Sequence, residues 1–214
     1  MKTLLPPVLS LIGMSNVGKS QWAARLAQEA GYEVVDCDHL LTQRLFPDPA
    51  DCPDLRTLAD WLGQPGEARY EANSRRLLAA EREVMRAVLA DLPPAATARP
   101  RVIDTGGSVI HAGADVLADL RRLTRVVYLE ASPAQVEMMY ARYLAEPKPL
   151  IWGESWQPRP GETAALARAR CYPLLLAERS ARYGELAHLR LPATSLSHPE
   201  ALRILLEQSR VDAH

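Results

Sequence analysis

Val8-Leu9-Ser10-Leu11-Ile12 followed by Gly13-Met14-Ser15-Asn16-Val17-Gly18-Lys19-Ser20 is the stretch on which the fold turns. The first five residues are a short apolar run of the kind carried by strands buried on both faces. Gly13 to Ser20 match G-x-x-x-x-G-K-[ST], and Trp22, Ala23, Leu26, Ala27 and Ala30 then recur at helical spacing up to a stop at Gly31. A strand, a glycine loop and a helix in that order make a phosphate-binding loop. The glycines let the backbone turn so that the N–H groups of Ser15, Asn16, Val17 and Gly18 face a phosphate chain at the positive end of the helix dipole. Lys19 then reaches the β and γ phosphates, and Ser20 ligates Mg²⁺. Lysine stands only at positions 2, 19 and 148, so a chance match here has odds of about one in a thousand. The loop implies ATP or GTP with Mg²⁺; a plain glycine turn is the alternative. As a loop residue taken to be exposed, Lys19 is expected to contribute little to packing.

Outward from the loop, strand and helix signals alternate. Tyr32 to Val35 predict a second strand, with a helix starting near Asp38. Residues 47 to 54, rich in Pro and Asp, predict a loop, and Glu67 to Leu92 a long amphipathic helix. Pro93 to Pro100 read as a linker, Arg101 to Asp104 as a third strand closed by a Gly106-Gly107 turn, and Arg125 to Glu130 as a fourth strand. Ser132-Pro133 starts the next helix. Residues 146 to 161, with four prolines, Gly153, Gly161, Trp152 and Trp156, predict an irregular excursion. A helix over Glu162–Arg182, a fifth strand over His188–Leu191 and a terminal helix opened by Pro199 complete the chain. The expected fold class is α/β, with a parallel sheet covered by helices on both faces.

The chain has 214 residues, 48% of them hydrophobic and 24% charged, which fits one packed globular domain over 1–214 and excludes disordered and disulfide-scaffold classes. Lys plus Arg number 25 against 26 Asp plus Glu, so no positive field implies nucleic acid or a membrane surface, and no protein partner is implied. Lys2 and the run Leu4 to Met14 have the outline of a secretory signal, but Pro6-Pro7 break it and no A-x-A site follows. Three cysteines, Cys37, Cys52 and Cys171, include no C-x-x-C pair and leave one over. The expected location is cytoplasmic.

In open α/β sheets ligands sit beyond the C-terminal ends of the strands. Asp36, Asp38, Asp104 and Gly106-Gly107 are predicted there. One carboxylate of Asp36 and Asp38 holds a magnesium-bound water while the other orients or deprotonates a substrate hydroxyl; the alternative is a helix N-cap. Asp104 is a second magnesium carboxylate or a buried turn residue. Gly106-Gly107 is a bare turn or a backbone that a substrate approaches closely.

With these residues in place, the chain resembles the shikimate kinase family of small P-loop kinases. Gly13 to Ser20 look like its nucleotide loop, Gly31-Tyr32-Glu33-Val34-Val35-Asp36-Cys37-Asp38 its G-Y-x-x-x-D-x-D segment, and Val102-Ile103-Asp104-Thr105-Gly106-Gly107 its V-I-x-T-G-G-G. Arg179 with Tyr183, Glu185 and Ala187 resembles R-x-P-x-Y-x-E-x-A, and Ser195-Leu196-Ser197 with Glu200 looks like the adenine-side loop. The resemblance implies the P-loop NTPase fold with five parallel strands, a mobile lid over about 146–161, and transfer of the ATP γ-phosphate to a shikimate hydroxyl. It makes Lys19 and Asp38 catalytic, Arg179 a nucleotide contact, Ser20 and Asp36 the metal residues, and Gly106 and Gly107 substrate contacts.

Three departures lie on the acceptor side. The family's F-R-x-x-E segment has no clean counterpart. Registering on Gly66-Glu67 places Tyr70-Glu71 at F-R, and registering on Glu81 and Val84 places Leu77-Leu78 there. Arg75 and Arg76 lie between and are candidates to grip a substrate carboxylate, or are solvated surface. The R-P-L-L that ends the lid is Lys148-Pro149-Leu150-Ile151, with Lys148 a further candidate for the substrate carboxylate, and the third glycine is Ser108. A lid arginine is sought at Arg142 or Arg159. The reading is an ATP-dependent small-molecule kinase of the shikimate kinase type, with another metabolite or a nucleotide as alternative acceptor to shikimate. A nucleotide-binding protein without catalysis is the rival. Trp152 and Trp156 are expected on a hinged segment rather than in the core.

Overall fold

The computed structural model describes residues 8–48, 53–92, 99–198 and 200–209. Five parallel strands form one sheet: β1 (Val8–Ile12), β2 (Glu33–Asp36), β3 (Arg101–Asp104), β4 (Arg125–Glu130) and β5 (Leu189–Pro192), in the order β2-β3-β1-β4-β5. β1 is central, with Leu11 paired to Asp104 on one side and Val127 on the other, and all five of its residues are buried. β2 is an edge strand with mostly exposed residues, which is why its signal is short and polar. Strands β1, β3 and β4 start and end within a residue of their predicted bounds, whereas β2 and β5 are shifted one residue along the chain.

The helices are α1 (Lys19–Ala30), α2 (Cys37–Leu45), α3 (Leu55–Leu62), α4 (Tyr70–Ala90), α5 (Ala114–Leu123), α6 (Pro133–Ala145), α7 (Ala164–Leu186) and α8 (Ala201–Gln208). α1 ends at Gly31, whose φ of 73° is the left-handed stop its position predicts. α6 starts with a full capping box between Ser132 and Gln135, Pro133 occupying its first turn. α3 is an element that the periodicity does not predict. It is capped by Asp54, whose side chain accepts from Thr57 N at 2.7 Å, and stops at Gly63 with φ 81°. α7 runs four residues past Arg182 with Pro173 inside it. Residues 93–98 of the predicted 93–100 linker, part of the 47–54 loop, and Pro199 lie outside the described residues.

Trp22, Leu26, Leu9, Leu11, Val102, Val126 and Leu129 anchor the main core on the sheet, while Leu41, Leu62, Leu77, Ala80 and Ile151 form a second cluster between α2, α3 and α4. Residues 150–156 correct the expectation of a hinged segment. Trp152 is only 1% exposed and its ring packs on Tyr143, Tyr172 and Trp156. Tyr70 Oη donates to Leu150 O at 3.0 Å and accepts from Trp152 N at 2.8 Å, so this stretch is tied to α4 at both backbone groups. A buried indole with those ties is core material, whatever its flanking prolines and glycines allow. No helix among the described residues is long and apolar enough to cross a membrane.

Candidate active site

β1 and β3 deliver their following loops side by side at the C-terminal edge of the sheet. Gly13, with φ 144°, lies against β4: a Cβ there would stand 2.8 Å from Leu129 O, so only glycine lets the loop leave the strand. Asn16 adopts φ 64°, the left-handed turn that Asn tolerates best after glycine. Gly18 is the N-cap of α1 and makes no side-chain cap, which leaves the first N–H groups of α1 to an anion.

Lys19 is the first residue of α1 and is only 7% exposed, with Nζ donating to Gly13 O at 3.1 Å and Met14 O at 3.0 Å. The expectation of an exposed lysine is therefore corrected: the loop wraps its ammonium. Burial lowers its pKa, and the carboxyls of Asp38 and Asp104 oppose that shift. Ser20 follows, its hydroxyl near enough to the Asp104 carboxyl at the end of β3 to oppose the upward pKa shift that burial gives that carboxyl. A hydroxyl beside a carboxylate is the hard-oxygen donor chemistry Mg²⁺ takes alongside waters and phosphate oxygens. Among the described residues no three His, Cys, Asp or Glu form a metal cage.

The two aspartates that leave β2 have different fates. Asp36 caps α2, its Oδ1 accepting from His39 N at 3.0 Å, and its side chain is exposed. Asp38, in the first turn of α2, faces the phosphate loop; burial raises its pKa first, Lys19 lowers it and Asp104 raises it. The carboxyl beside Ser20 is that of Asp104 of β3, and Asp36, expected at the metal, caps α2. Gly106 and Gly107 make close approaches, but to the protein's own atoms. A Cβ on Gly106 would stand 2.9 Å from both Asp38 Oδ1 and Glu81 Oε1, and one on Gly107 2.9 Å from Ser15 Oγ.

One cavity of about 740 Å³ runs along this edge, from Ala193 and Thr194 past residues 15–21 to Asp38, Asp104 and Leu55, with Arg142, Glu146 and Lys148 on the α6 side. Lys148 is close enough to act electrostatically on Lys19, Asp38 and Asp104. Arg142 lines the cavity, whereas the exposed Arg159 does not.

Arg75 and Arg76 are not brought to the site. Arg75 is 73% exposed and pairs with Glu71 at 3.6 Å, while the Arg76 guanidinium lies 5.1 Å over the Trp61 ring. Arg179, expected at the nucleotide, is buried beneath the Gly107 turn. Its guanidinium donates to Gly107 O at 3.0 Å and Ile151 O at 2.6 Å, and Tyr183 Oη also donates to Gly107 O. It borders a crevice of about 30 Å³ under the loop that adjoins the large cavity and shares Ser15, Asn16, Arg142, Glu146 and Lys148 with it. Glu81 on α4 is a site residue that sequence reasoning misses. It is 4% exposed, accepts from Ser108 Oγ at 2.9 Å, and burial pushes its pKa up to about 7. Its signal in the sequence is a lone carboxylate in the stripe Leu77, Ala80, Val84, Met85, Val88.

Comparison with known proteins adds four likenesses. The family model described as AAA domain matches residues 8–145. Shikimate kinase 2 of Erwinia tasmaniensis is 31% identical over 144 residues, covering 67% of this chain and 68% of that one. Shikimate kinase of Paracidovorax citrulli is 28% identical over 128 residues, 60% of this chain. The match spans 58% of the length of the P. citrulli protein. In structure the chain is similar to the shikimate kinase of Bacteroides thetaiotaomicron, with a TM-score of 0.59, 16% identity and 94% of each chain covered, which establishes a shared fold.

Proposed function

Since this chain belongs to the shikimate kinase family within the AAA domain P-loop proteins, we propose that it transfers the γ-phosphate of ATP to a hydroxyl of a small molecule. The observation that carries the reading is the convergence of Lys19, Ser20, Asp38 and Asp104 on one cavity. The step needs little covalent help from the protein; it needs charge placed where the phosphoryl group moves.

Residues 15–18 and the start of α1 hold the phosphate chain by N–H groups. Lys19, freed from Gly13 O and Met14 O, donates to the transferring phosphoryl oxygens. Ser20 and Asp104 are the residues that would hold Mg²⁺, which when bound neutralises charge on the phosphate oxygens. Asp38 accepts the proton of the acceptor hydroxyl as its oxygen bonds the γ-phosphorus and the bond to the β-phosphate oxygen breaks, releasing ADP. Lys148 and Arg142 close the charge ring from the α6 side. Asp36 serves as a cap, and Gly106 and Gly107 set the position of Asp38 and Ser15. The segment that closes is α6 with residues 146–149, since 150–156 is packed. The free, buried thiols of Cys37 and Cys171 favour a cytoplasmic location.

ADP release measured with ATP and Mg²⁺, with and without shikimate, gluconate, homoserine or nucleoside monophosphates, tests the proposal. Release that depends on an added hydroxyl compound supports it. ATP binding without acceptor-dependent release, across these acceptors, moves the chain to the non-catalytic reading.

A further inference from the structure

Lys148 stands between Pro147 and Pro149, and each proline ring locks its own φ and presses the residue before it toward extended backbone. Pro147-Lys148-Pro149-Leu150 is therefore a stiff strut, and the place where Leu150 is held governs where Lys148 can stand. The ammonium ends a flexible four-carbon stem, so its address in the cavity depends on how well its Cα is fixed.

Leu150 is held by one side chain. Tyr70, the first residue of α4, donates its hydroxyl to Leu150 O at 3.0 Å and accepts from Trp152 N at 2.8 Å, on either side of Ile151. Ile151 O accepts from Arg179 Nη2 at 2.6 Å, and its side chain is buried with Leu41, Leu62 and Leu77. The strut thus has one anchored end, while its other end runs into α6, the helix that closes. Between the two, Lys148 lines the cavity and acts electrostatically on Lys19, Asp38 and Asp104. Tyr70 itself does not line that cavity. In the register on Gly66-Glu67 the family's pattern has phenylalanine at the place of Tyr70, and its lid has arginine at the place of Lys148. The hydroxyl and the lysine are both departures of this chain, and the strut joins them. A guanidinium is a planar, preorganised fork and an ammonium is not, so the lysine depends more on a fixed backbone.

We infer that the Tyr70 hydroxyl is a positioning group for phosphoryl transfer: by fixing the Leu150 end of the strut, it sets Lys148 against the moving phosphate. This rests on the kinase reading above and deepens it.

The test is a double-mutant cycle of Tyr70→Phe and Lys148→Ala. kcat and KM are read from acceptor-dependent ADP release on the best of shikimate, gluconate, homoserine and nucleoside monophosphates. Lys148→Ala should lower kcat at least about tenfold, and Tyr70→Phe at least about fivefold with the acceptor KM changed less than about threefold. The double variant should fall no more than about twofold below Lys148→Ala, because an anchor without its lysine has nothing to place. A larger further loss in the double variant, as a merely structural Tyr70 would give, overturns the inference and leaves the kinase reading intact. Wild-type kcat in either single variant does the same. If Tyr70→Phe does not unfold cooperatively, Pro149→Gly takes its place in the cycle, loosening the strut without touching α4. It should lower kcat at least about threefold, and that loss should vanish in the Lys148→Ala background; no loss, or one that persists there, overturns the inference. A wild type that releases no ADP with any of these acceptors ends the kinase reading and the inference with it.

Discussion

Two aspartates separated by a single residue carry different burdens, and substitution separates them. Asp38→Asn keeps size and some hydrogen bonding but cannot take up the hydroxyl proton, so kcat should fall by roughly 10²- to 10⁴-fold with the KM for ATP changed less than about threefold. Asp36→Asn should leave kcat within a few-fold and stability within about 0.5 kcal/mol, because Asn caps a helix about as well as Asp. Steady-state kinetics of the pair on the best acceptor checks both; equal losses would mean that Asp36 also reaches the reacting groups. Both carboxylates are legible in the sequence, but their roles are not divided there, since either can cap a helix whose start is read only as near Asp38. Lys19 and Ser20 are legible because the loop motif fixes their spacing. Arg75 and Arg76 mislead because proximity in sequence ignores helical rotation. The buried stripe of α4 runs through Leu77, Glu81, Val84 and Val88, and at about 100° per residue Arg75 points about 160° away from Leu77. The same rotation singles out Glu81 as the carboxylate on the inner face.

At the scale of elements, β1, β3 and β4 are legible because strands buried on both faces are nearly pure apolar runs. α3 is not, because its eight residues are too few to establish a period, although Asp54 and Gly63 mark its ends. The excursion over 146–161 is legible as irregular, but composition does not say which part packs. The structure divides it at Leu150, where Tyr70, and then Arg179 at Ile151, tie the backbone down. Hydrogen exchange should therefore find residues 150–156 protected without ligand, and α6 with 146–149 gaining protection, on the order of tenfold, when a non-hydrolysable ATP analogue and Mg²⁺ are added. Protection gained uniformly over 146–161 would restore a single hinged lid. The glycine turn after β3 belongs to this scale too. Gly106→Ala puts a methyl 2.9 Å from two carboxyl oxygens, so the turn or Asp38 must shift, and kcat should fall at least about tenfold as a misplaced base implies. An Ala variant with wild-type kcat would mean that Asp38 tolerates displacement.

The whole molecule bears the cost of collecting buried charge at one sheet edge, and pH exposes it. Glu81 titrates at about 7 in the fold against an ordinary glutamate value of 4.5, so the fold holds a proton that the unfolded chain has released. Stability should fall as pH rises from about 4.5 through 7 and level off above, by an amount on the order of 3 kcal/mol from this group. Urea unfolding at pH 5, 6, 7 and 8 should show Glu81→Gln gaining on wild type across that interval; parallel profiles would mean the carboxyl is not held neutral. The central claim is that the wrapped lysine of the loop exists to move a phosphoryl group. Lys19→Met keeps most of the side-chain stem and removes the ammonium, and acceptor-dependent ADP release by the two proteins tests the claim most directly. The account predicts a kcat lower by at least about 10²-fold, the size of loss that follows removal of one preorganised transition-state donor, in a protein that still unfolds cooperatively. A folded Lys19→Met protein that releases ADP at the wild-type rate would contradict it.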